Sequence, residues 1–188
     1  IHGIELCHDP RPAVQPQSLR SLVQISGHVE TGAPLPEQEL ERLLGTRTFQ
    51  AGLQTVRQLE FALFDLRIHS EKPEAAAGIM RILDDVRSRV AVITPPQFNR
   101  FAHSFQHIFS GGYAAGYYSY KWAEVLDADA FEYFQETGVF NKETAMLFRQ
   151  HILSAGGSEH PMELYTRFRG KEPSPDALLR RTGLMPTS

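Results

Sequence analysis

The sequence contains almost no cysteine, since only Cys7 among its 188 residues carries a thiol. A lone cysteine excludes a disulfide within the chain and is typical of proteins in a reducing compartment. No apolar run approaches the roughly 18 residues of a membrane-spanning helix, so no membrane association is predicted. The first residues, Ile1 to Glu5, lack the features of a signal peptide, and there is no initiating Met. We therefore expect a cytoplasmic fragment of a longer protein.

An excess of positive charge is also missing from the chain. Nineteen Lys and Arg residues stand against 22 Asp and Glu residues, which leaves a formal net charge of −3. Nucleic-acid-binding domains carry a basic surface, so the composition predicts no nucleic-acid partner. Hydrophobic residues make up 41% and charged residues 22% of the chain, which is ordinary for a globular protein of one or two domains.

Strand signals are weak, because apolar and polar residues never alternate over more than four positions. Helical periodicity is strongest over residues 48–68, where a second apolar stripe of Phe61, Phe64 and Ile68 predicts a helix that is buried on two sides. The sequence therefore predicts an all-α fold. The first stripe of this helix recurs at three- and four-residue steps and contains Phe49, Leu53, Val56, Leu59, Leu63 and Leu66.

Helix boundaries are indicated by prolines, glycines and capping side chains. Three prolines predict an irregular segment over residues 1–16, followed by a helical part over residues 17–188. We expect Gly45 to end one helix as a left-handed C-terminal residue, Asn141 to cap another, and Ser158 to cap a third. Further helices are predicted over 18–25, 37–44, 73–94, 122–134 and 141–153, and after 158 and 174.

Two histidines, His103 and His107, are four residues apart. On one helix they would share a face, as the zinc ligands of an H-E-x-x-H motif do. Ser104 stands where that motif has glutamate, however, and no third ligand follows at a clear offset. The sequence therefore predicts two polar histidines beside a pocket and no metal site in this segment.

The most distinctive segment is His107–Trp122, which we call the Gly/Tyr segment. It holds four of the six tyrosines, three glycines and the only tryptophan within sixteen residues. Tyrosine can both pack on a ligand and hydrogen-bond it, and glycine lets the backbone approach closely. Tyr113, Tyr117 and Tyr120 carry hydroxyls that are hard to satisfy in a dry core. A loop that binds a peptide is therefore favoured over an aromatic core helix.

The run from His107 to Glu124 resembles the glycine- and tyrosine-rich loop of the thimet oligopeptidase family of zinc metallopeptidases. The resemblance extends in order, and nearly without gaps, over residues 17–185. It implies the helical C-terminal part of a thimet oligopeptidase-like (neurolysin-like) catalytic domain. Supporting stretches lie at Ile25–His28, Glu30–Gly32, Arg57–Asp65, Gly156–Glu159 and Arg167–Gly170.

The resemblance also implies zinc as the cofactor of the intact enzyme. In the family, an H-E-x-x-H helix and a downstream glutamate hold the zinc, and these residues would lie before Ile1. No zinc is therefore expected on this chain alone. Residues 1–5 resemble a piece that follows the zinc helix, but residues 6–16 do not continue as the family does. A splice, a truncation or a divergent locus would each explain that difference.

Site residues are implied by the positions that match the family's loop. Tyr120 matches a tyrosine that donates a hydrogen bond to the oxyanion, and His107 matches a histidine at the substrate cleft. Tyr113 and Tyr117 match tyrosines that contact the peptide. The loop glycines, which would let it close over the peptide, are Gly111, Gly112 and Gly116.

Two classes of function follow from these observations. The resemblance implies the substrate-binding and transition-state-stabilising part of a zinc-dependent metalloendopeptidase that hydrolyses short peptides, inactive without its N-terminal half. The alternative is a non-catalytic helical module that binds peptides or other proteins. In either case we expect an exposed apolar surface where the missing half would pack, and self-association through that surface is a third expectation.

Overall fold

The computed structural model describes residues 23, 27–71, 73 and 75–186. Every regular element in this part of the chain is helical, which confirms the all-α prediction. The irregular segment predicted over residues 1–16 lies outside the described residues, and so does the helix over 18–25 apart from Val23. The chain divides into two compact units, Ile1–Phe49 and Gln50–Ser188. A boundary after residue 16 stays a prediction.

In the first unit, helix α1 spans Glu37–Gly45 and is followed by a 3₁₀ turn over Thr46–Thr48. Two glutamates in the first turn of α1 suit the positive end of its dipole. Gly45 was predicted to end the helix in a left-handed conformation, and this is wrong. Its φ is −61°, because the chain continues from α1 directly into the 3₁₀ turn.

The second unit begins with a pair of packed helices, α2 over Ala51–Ser70 and α3 over Ala76–Val90. Gln50 has a φ of +54°, and this left-handed residue starts α2 three positions later than predicted. The core between the helices is apolar and well buried. It contains Phe64 and Ile68 from α2, and Ile82, Leu83 and Val86 from α3.

The prediction that α2 is buried on two sides is wrong. The stripe with Phe64 and Ile68 faces the core, whereas Leu59, Leu63 and Leu66 are 41%, 38% and 39% exposed. These three leucines lie on the side of α2 that faces away from the core. We refer to them as the leucine stripe. Their regular spacing predicted a helix correctly, but spacing alone does not indicate whether another part of the protein covers that side of the helix.

After α3, the chain forms two short helices, α4 over Phe101–Ser104 and α5 over Gln106–Phe109. The Gly/Tyr segment follows and leads into the long helix α6 over Ser119–Thr137. Gly138, at φ +105°, ends α6. The loop with the candidate site residues is therefore framed by α5 on one side and by the start of α6 on the other.

The C-terminal helices pack along α6. Helix α7, over Lys142–Phe148, continues into a π-helical turn over Arg149–Leu153, and α8 and α9 span Pro161–Arg169 and Asp176–Arg181. Val125 and Ala128 of α6 pack with Ala177 and Leu178 of α9.

The capping predictions for these helices had different outcomes. The Asn141 cap is confirmed, since its side chain accepts from the backbone N–H groups of Glu143 and Thr144. The Ser158 cap is wrong, because the His160 side chain accepts the N–H of Met162 instead.

Candidate functional site

The loop between α5 and α6 has a shape that requires glycine. The Tyr113 N–H donates to the His107 carbonyl at 3.1 Å, which closes a tight turn. A Cβ atom on Gly111 would lie 2.8 Å from that same carbonyl oxygen, too close for any other residue. Gly112 has a φ of +79°, a conformation that side chains with a Cβ rarely adopt. Both glycines therefore define the loop's path.

The buried carboxylate of Asp65, on α2, accepts two hydrogen bonds from the backbone of this loop. Asp65 is 0% exposed, and its two oxygens accept the N–H groups of Ala115 and Tyr117, each at 2.9 Å. Ala115 has a φ of +54°, so one of these hydrogen bonds stabilises a left-handed alanine. His69, one turn further along α2, places its Nδ1 atom 2.9 Å from the Asp65 Oδ1 atom. The carboxylate thus connects the loop to α2.

The loop brings four predicted site residues together as one aromatic cluster. The Tyr113 and Tyr120 rings are 5.2 Å apart, and the Tyr117 and Tyr120 rings are 5.1 Å apart in a T-shaped contact. The His107 ring lies 6.1 Å from Tyr113 and 6.3 Å from Tyr120. Such edge and offset contacts are favourable for aromatic pairs. His107, Tyr113 and Tyr120 are each half-buried, so this cluster has a solvent-facing side.

Tyr117 lies deeper than its neighbours. It is 8% exposed, and its ring packs against Phe61 and Phe105. Its hydroxyl donates to the Gln58 Oε1 atom at 3.0 Å. The argument that a dry core cannot satisfy the loop's phenols therefore fails for Tyr117, because Gln58 supplies an acceptor. Its contact with a peptide stays a prediction.

The two histidines do not share a helix face as their spacing suggested. Phe105, with φ −81° and ψ +67°, interrupts the helix between them and is itself buried in the core. His103 is exposed on α4, whereas His107 belongs to α5 and joins the aromatic cluster. The burial of Phe105, which lies midway between the two histidines in the sequence, explains the break, because its side chain packs into the aromatic core.

An ion network centred on the buried Glu60 lies beside Phe61, whose ring packs against Tyr117. Glu60 is 1% exposed and accepts from Arg87 at 2.9 Å and from Arg57 at 2.7 Å. The Arg57 guanidinium also lies 4.3 Å from the centre of the Phe61 ring, which is a favourable cation–π distance. Phe61 in turn stacks on Phe101 at 4.7 Å. The network therefore holds these two rings in place as well as the helices.

Sequence reasoning missed Asp65, Gln58 and Glu60. One signal was available: Asp65 is a charged residue that directly follows Phe64 inside the predicted apolar stripe. A carboxylate there must be hydrogen-bonded or paired. The identity of its partners was not available from the pattern, because Ala115 and Tyr117 lie about fifty residues further along the chain.

Metal ligands do not gather in the part of the chain that the structure describes. Within it, no group of three or more His, Cys, Asp or Glu side chains could hold a metal ion. The described residues therefore do not fit the zinc site that the resemblance implies for the intact enzyme.

No helix in the part of the chain that the structure describes has the length and apolar character needed to cross a membrane.

Three known proteins illustrate what this chain is similar to. Oligopeptidase A of Escherichia coli (strain K12) is 53% identical over 165 residues, which cover 87% of this chain and 24% of that protein. The probable cytosolic oligopeptidase A of Arabidopsis thaliana is 47% identical over 173 residues, covering 89% and 25%. Dipeptidyl carboxypeptidase of Escherichia coli (strain K12) is 35% identical over 164 residues, covering 84% and 23%.

The chain thus spans about a quarter of the length of these curated relatives. A family model described as peptidase family M3 matches residues 17–184, which include the whole aromatic cluster and its anchor on α2. The similarity therefore covers the elements that build the site as well as the site itself. The chain belongs to peptidase family M3.

Proposed function

We propose that this chain forms the substrate-binding and transition-state-stabilising surface of a metalloendopeptidase that hydrolyses short peptides. The observation that carries the proposal is the half-buried cluster of His107, Tyr113 and Tyr120 on a loop whose path is set by glycine. Ring faces suit the side chains and planar groups of a peptide, while the hydroxyls and the imidazole suit its backbone. Family membership supports a peptidase, and the cluster supports the role of this part of it.

Tyr120 has the chemistry for the oxyanion role. A phenol donates a hydrogen bond while staying neutral, so it stabilises the negative charge that develops on a carbonyl oxygen under attack. Its ring is held between Tyr113 and Tyr117, at 5.2 and 5.1 Å. A donor with a fixed ring needs little reorganisation during the reaction. His107 lies at the edge of the same cluster and would contribute a second polar group at the substrate cleft.

Peptide binding is assigned to Tyr113, Tyr117, Gly111 and Gly112 in this proposal. Tyr113 offers the solvent-facing ring, and the two exposed glycines keep the loop free of side chains beside it. Tyr117 packs against Tyr120 and His107 on the buried side of the cluster. The zinc and the general base would come from sequence outside this chain, and the proposed place of action is the cytoplasm, where the name of the Arabidopsis relative also places that protein.

The remainder of such a peptidase is also the proposed partner of the leucine stripe. Leu59, Leu63 and Leu66 recur at steps of four and three along α2 and are all exposed. Three exposed leucines on one helix face indicate a surface that is covered in the complete assembly. Sedimentation of the 188-residue chain tests the alternative partner, a second copy of this chain. A monomer at high concentration would count against pairing of two copies through the stripe.

A chimeric enzyme tests the proposed function directly. Residues 17–184 replace the corresponding segment of Escherichia coli oligopeptidase A, whose 53% identity favours a correct fit. We expect the chimera to hydrolyse a short fluorogenic peptide that the parent hydrolyses, whereas the parent without this segment should be inactive. A folded chimera with the parent's zinc content and no activity would contradict the proposal. Peptide binding without hydrolysis would favour the non-catalytic module.

A further inference from the structure

We propose that Asp65 is a positioning residue that sets the orientation of Tyr113 and Tyr120 through the loop backbone. This inference rests on the proposed function, because the orientation matters to the extent that the loop serves a substrate. It concerns a side chain that takes no part in the aromatic cluster. Asp65 acts on the cluster only through the amides of Ala115 and Tyr117.

The first argument is the geometry of the carboxylate. Its Oδ1 and Oδ2 atoms each accept one loop N–H at 2.9 Å, from Ala115 and Tyr117 respectively. The two amides are two positions apart, so one rigid, planar group fixes both ends of the turn between them. Hydrogen bonds to an ionised carboxylate are roughly twice as strong as those between neutral groups. A carboxylate is therefore well suited to holding this turn in a single conformation.

The second argument is where the charge lies. Asp65 is 0% exposed and directly follows Phe64 in the apolar stripe of α2. Burial of a carboxylate is costly, and well-packed apolar residues often stabilise a fold equally well. The loop amides and His69 offset that cost at this position. A buried carboxylate whose partners are loop amides is therefore consistent with a role in fixing the shape of the loop.

The third argument is the connection from the anchored amides to Tyr120. Tyr117 lies two residues before the start of α6, and its carbonyl accepts the N–H of Tyr120 at 3.3 Å. Its ring also forms the T-shaped contact with the Tyr120 ring at 5.1 Å. On the other side of the turn, Ala115 follows Tyr113 by two residues. Asp65 thus holds the backbone between the two tyrosines that share the solvent-facing side.

The test compares two isosteric variants of the complete 188-residue chain. Asp65→Asn keeps one acceptor but brings an NH₂ group against the second loop amide. The matched control is Asp129→Asn, which alters an equally buried carboxylate, 1% exposed, at the contact with Tyr165. Amide hydrogen exchange is measured for Ala115 and Tyr117, and nuclear Overhauser contacts are measured between the rings of Tyr113 and Tyr120.

We expect exchange to be roughly ten- to a hundred-fold faster in Asp65→Asn at the loop amide that faces the new NH₂ group, which is the range for loss of a hydrogen bond to a charged group. The ring contacts between Tyr113 and Tyr120 should weaken in the same variant. In Asp129→Asn both readouts should match the unsubstituted chain once global stability is taken into account. Unchanged exchange, or unchanged ring contacts despite faster exchange, would overturn the inference.

Kinetics in the chimera separate this inference from the proposed function. Asp65→Asn should lower kcat by roughly ten-fold or more while KM changes less, because the Tyr120 donor acts mainly in the transition state. Asp129→Asn should leave the ratio of the two constants unchanged. An active chimera whose kcat is insensitive to Asp65→Asn would overturn the positioning role. If the unsubstituted chimera is inactive, the proposed function fails, and the exchange and ring-contact measurements decide the role of Asp65.

Discussion

The Tyr165 hydroxyl donates a 2.7 Å hydrogen bond to the Oδ2 atom of Asp129. Both residues are buried, Tyr165 on α8 and Asp129 on α6. Burial, followed by the hydrogen bond to Asp129, raises the pKa of the Tyr165 phenol above its ordinary value. Helix α6, which carries Tyr120 at its start, is thereby joined to α8 at a buried polar contact, to which Arg169 adds an ion pair with Asp129 at 3.4 Å.

Removal of that hydroxyl should destabilise the fold. Tyr165→Phe leaves a buried carboxylate oxygen with one partner fewer, so we expect a loss of roughly 1–3 kcal/mol in the free energy of unfolding. Urea denaturation at neutral pH measures this loss. Tyr118→Phe is the matched control, since Tyr118 is 50% exposed. Equal effects of the two variants would show that the contact with Asp129 contributes nothing.

The same contact predicts a dependence on alkaline pH. The folded pKa of Tyr165 is raised, so its contribution is fully present below the unfolded pKa of about 10. As pH rises above that value, the phenol ionises in the unfolded chain but stays neutral in the fold, and stability falls. Tyr165→Phe should make this decline shallower. The measurement is the free energy of unfolding between pH 8 and about 11, for the unsubstituted chain and for Tyr165→Phe.

The sequence predicted most of the helices because their signals are local. Asn141 caps α7 through the two amides that follow it, and Gly138 ends α6 in a conformation that glycine favours. The spacing of the leucine stripe predicted a helix equally well, yet it did not indicate that this side of the helix is exposed. Periodicity shows that one face of a helix is apolar, but the partner of that face is encoded elsewhere in the chain.

The candidate site was predictable only in part, for the same reason. The composition of the Gly/Tyr segment indicated an aromatic loop, and the structure brings His107, Tyr113 and Tyr120 together. Its anchoring was not predictable, because Asp65 meets Ala115 only after the chain has folded. The interruption of the helix at Phe105, between the two histidines, was not predictable either. It arises from the packing of the Phe105 side chain in the core, and a phenylalanine at this position in the sequence is equally compatible with a continuous helix.

The close approach at Gly111 predicts a strong effect of one methyl group. In Gly111→Ala the new Cβ would lie 2.8 Å from the His107 oxygen, and backbone cannot move aside as a flexible side chain can. We expect a loss of roughly 1–3 kcal/mol in thermal or urea unfolding. Gly45→Ala is the control, because Gly45 has a φ of −61° and nothing lies within 4 Å of its added Cβ. That variant should be neutral or slightly stabilising.

The left-handed backbone at Ala115 predicts a difference between two adjacent alanines. Ala115 has a φ of +54°, which the bond to Asp65 helps to hold, whereas Ala114 is not among the positive-φ residues of the described part. Both are exposed, so a larger side chain meets little obstruction at either position. Ala115→Val should therefore cost roughly 1 kcal/mol more than Ala114→Val, because a β-branched residue disfavours this conformation. Equal unfolding free energies of the two variants would contradict the strain at Ala115.

Tyr120→Phe examines the proposed oxyanion role in the chimera with Escherichia coli oligopeptidase A. The substitution keeps the ring contacts with Tyr113 and Tyr117 and removes only the donor. We expect kcat to fall by roughly ten- to a thousand-fold with a smaller change in KM, as for loss of one oxyanion donor. Steady-state kinetics on a short fluorogenic peptide measure both constants. Tyr118→Phe, two residues earlier and exposed, should leave them unchanged. If kcat is the same in Tyr120→Phe and Tyr118→Phe, Tyr120 has no part in stabilising the transition state, and the aromatic cluster serves binding alone.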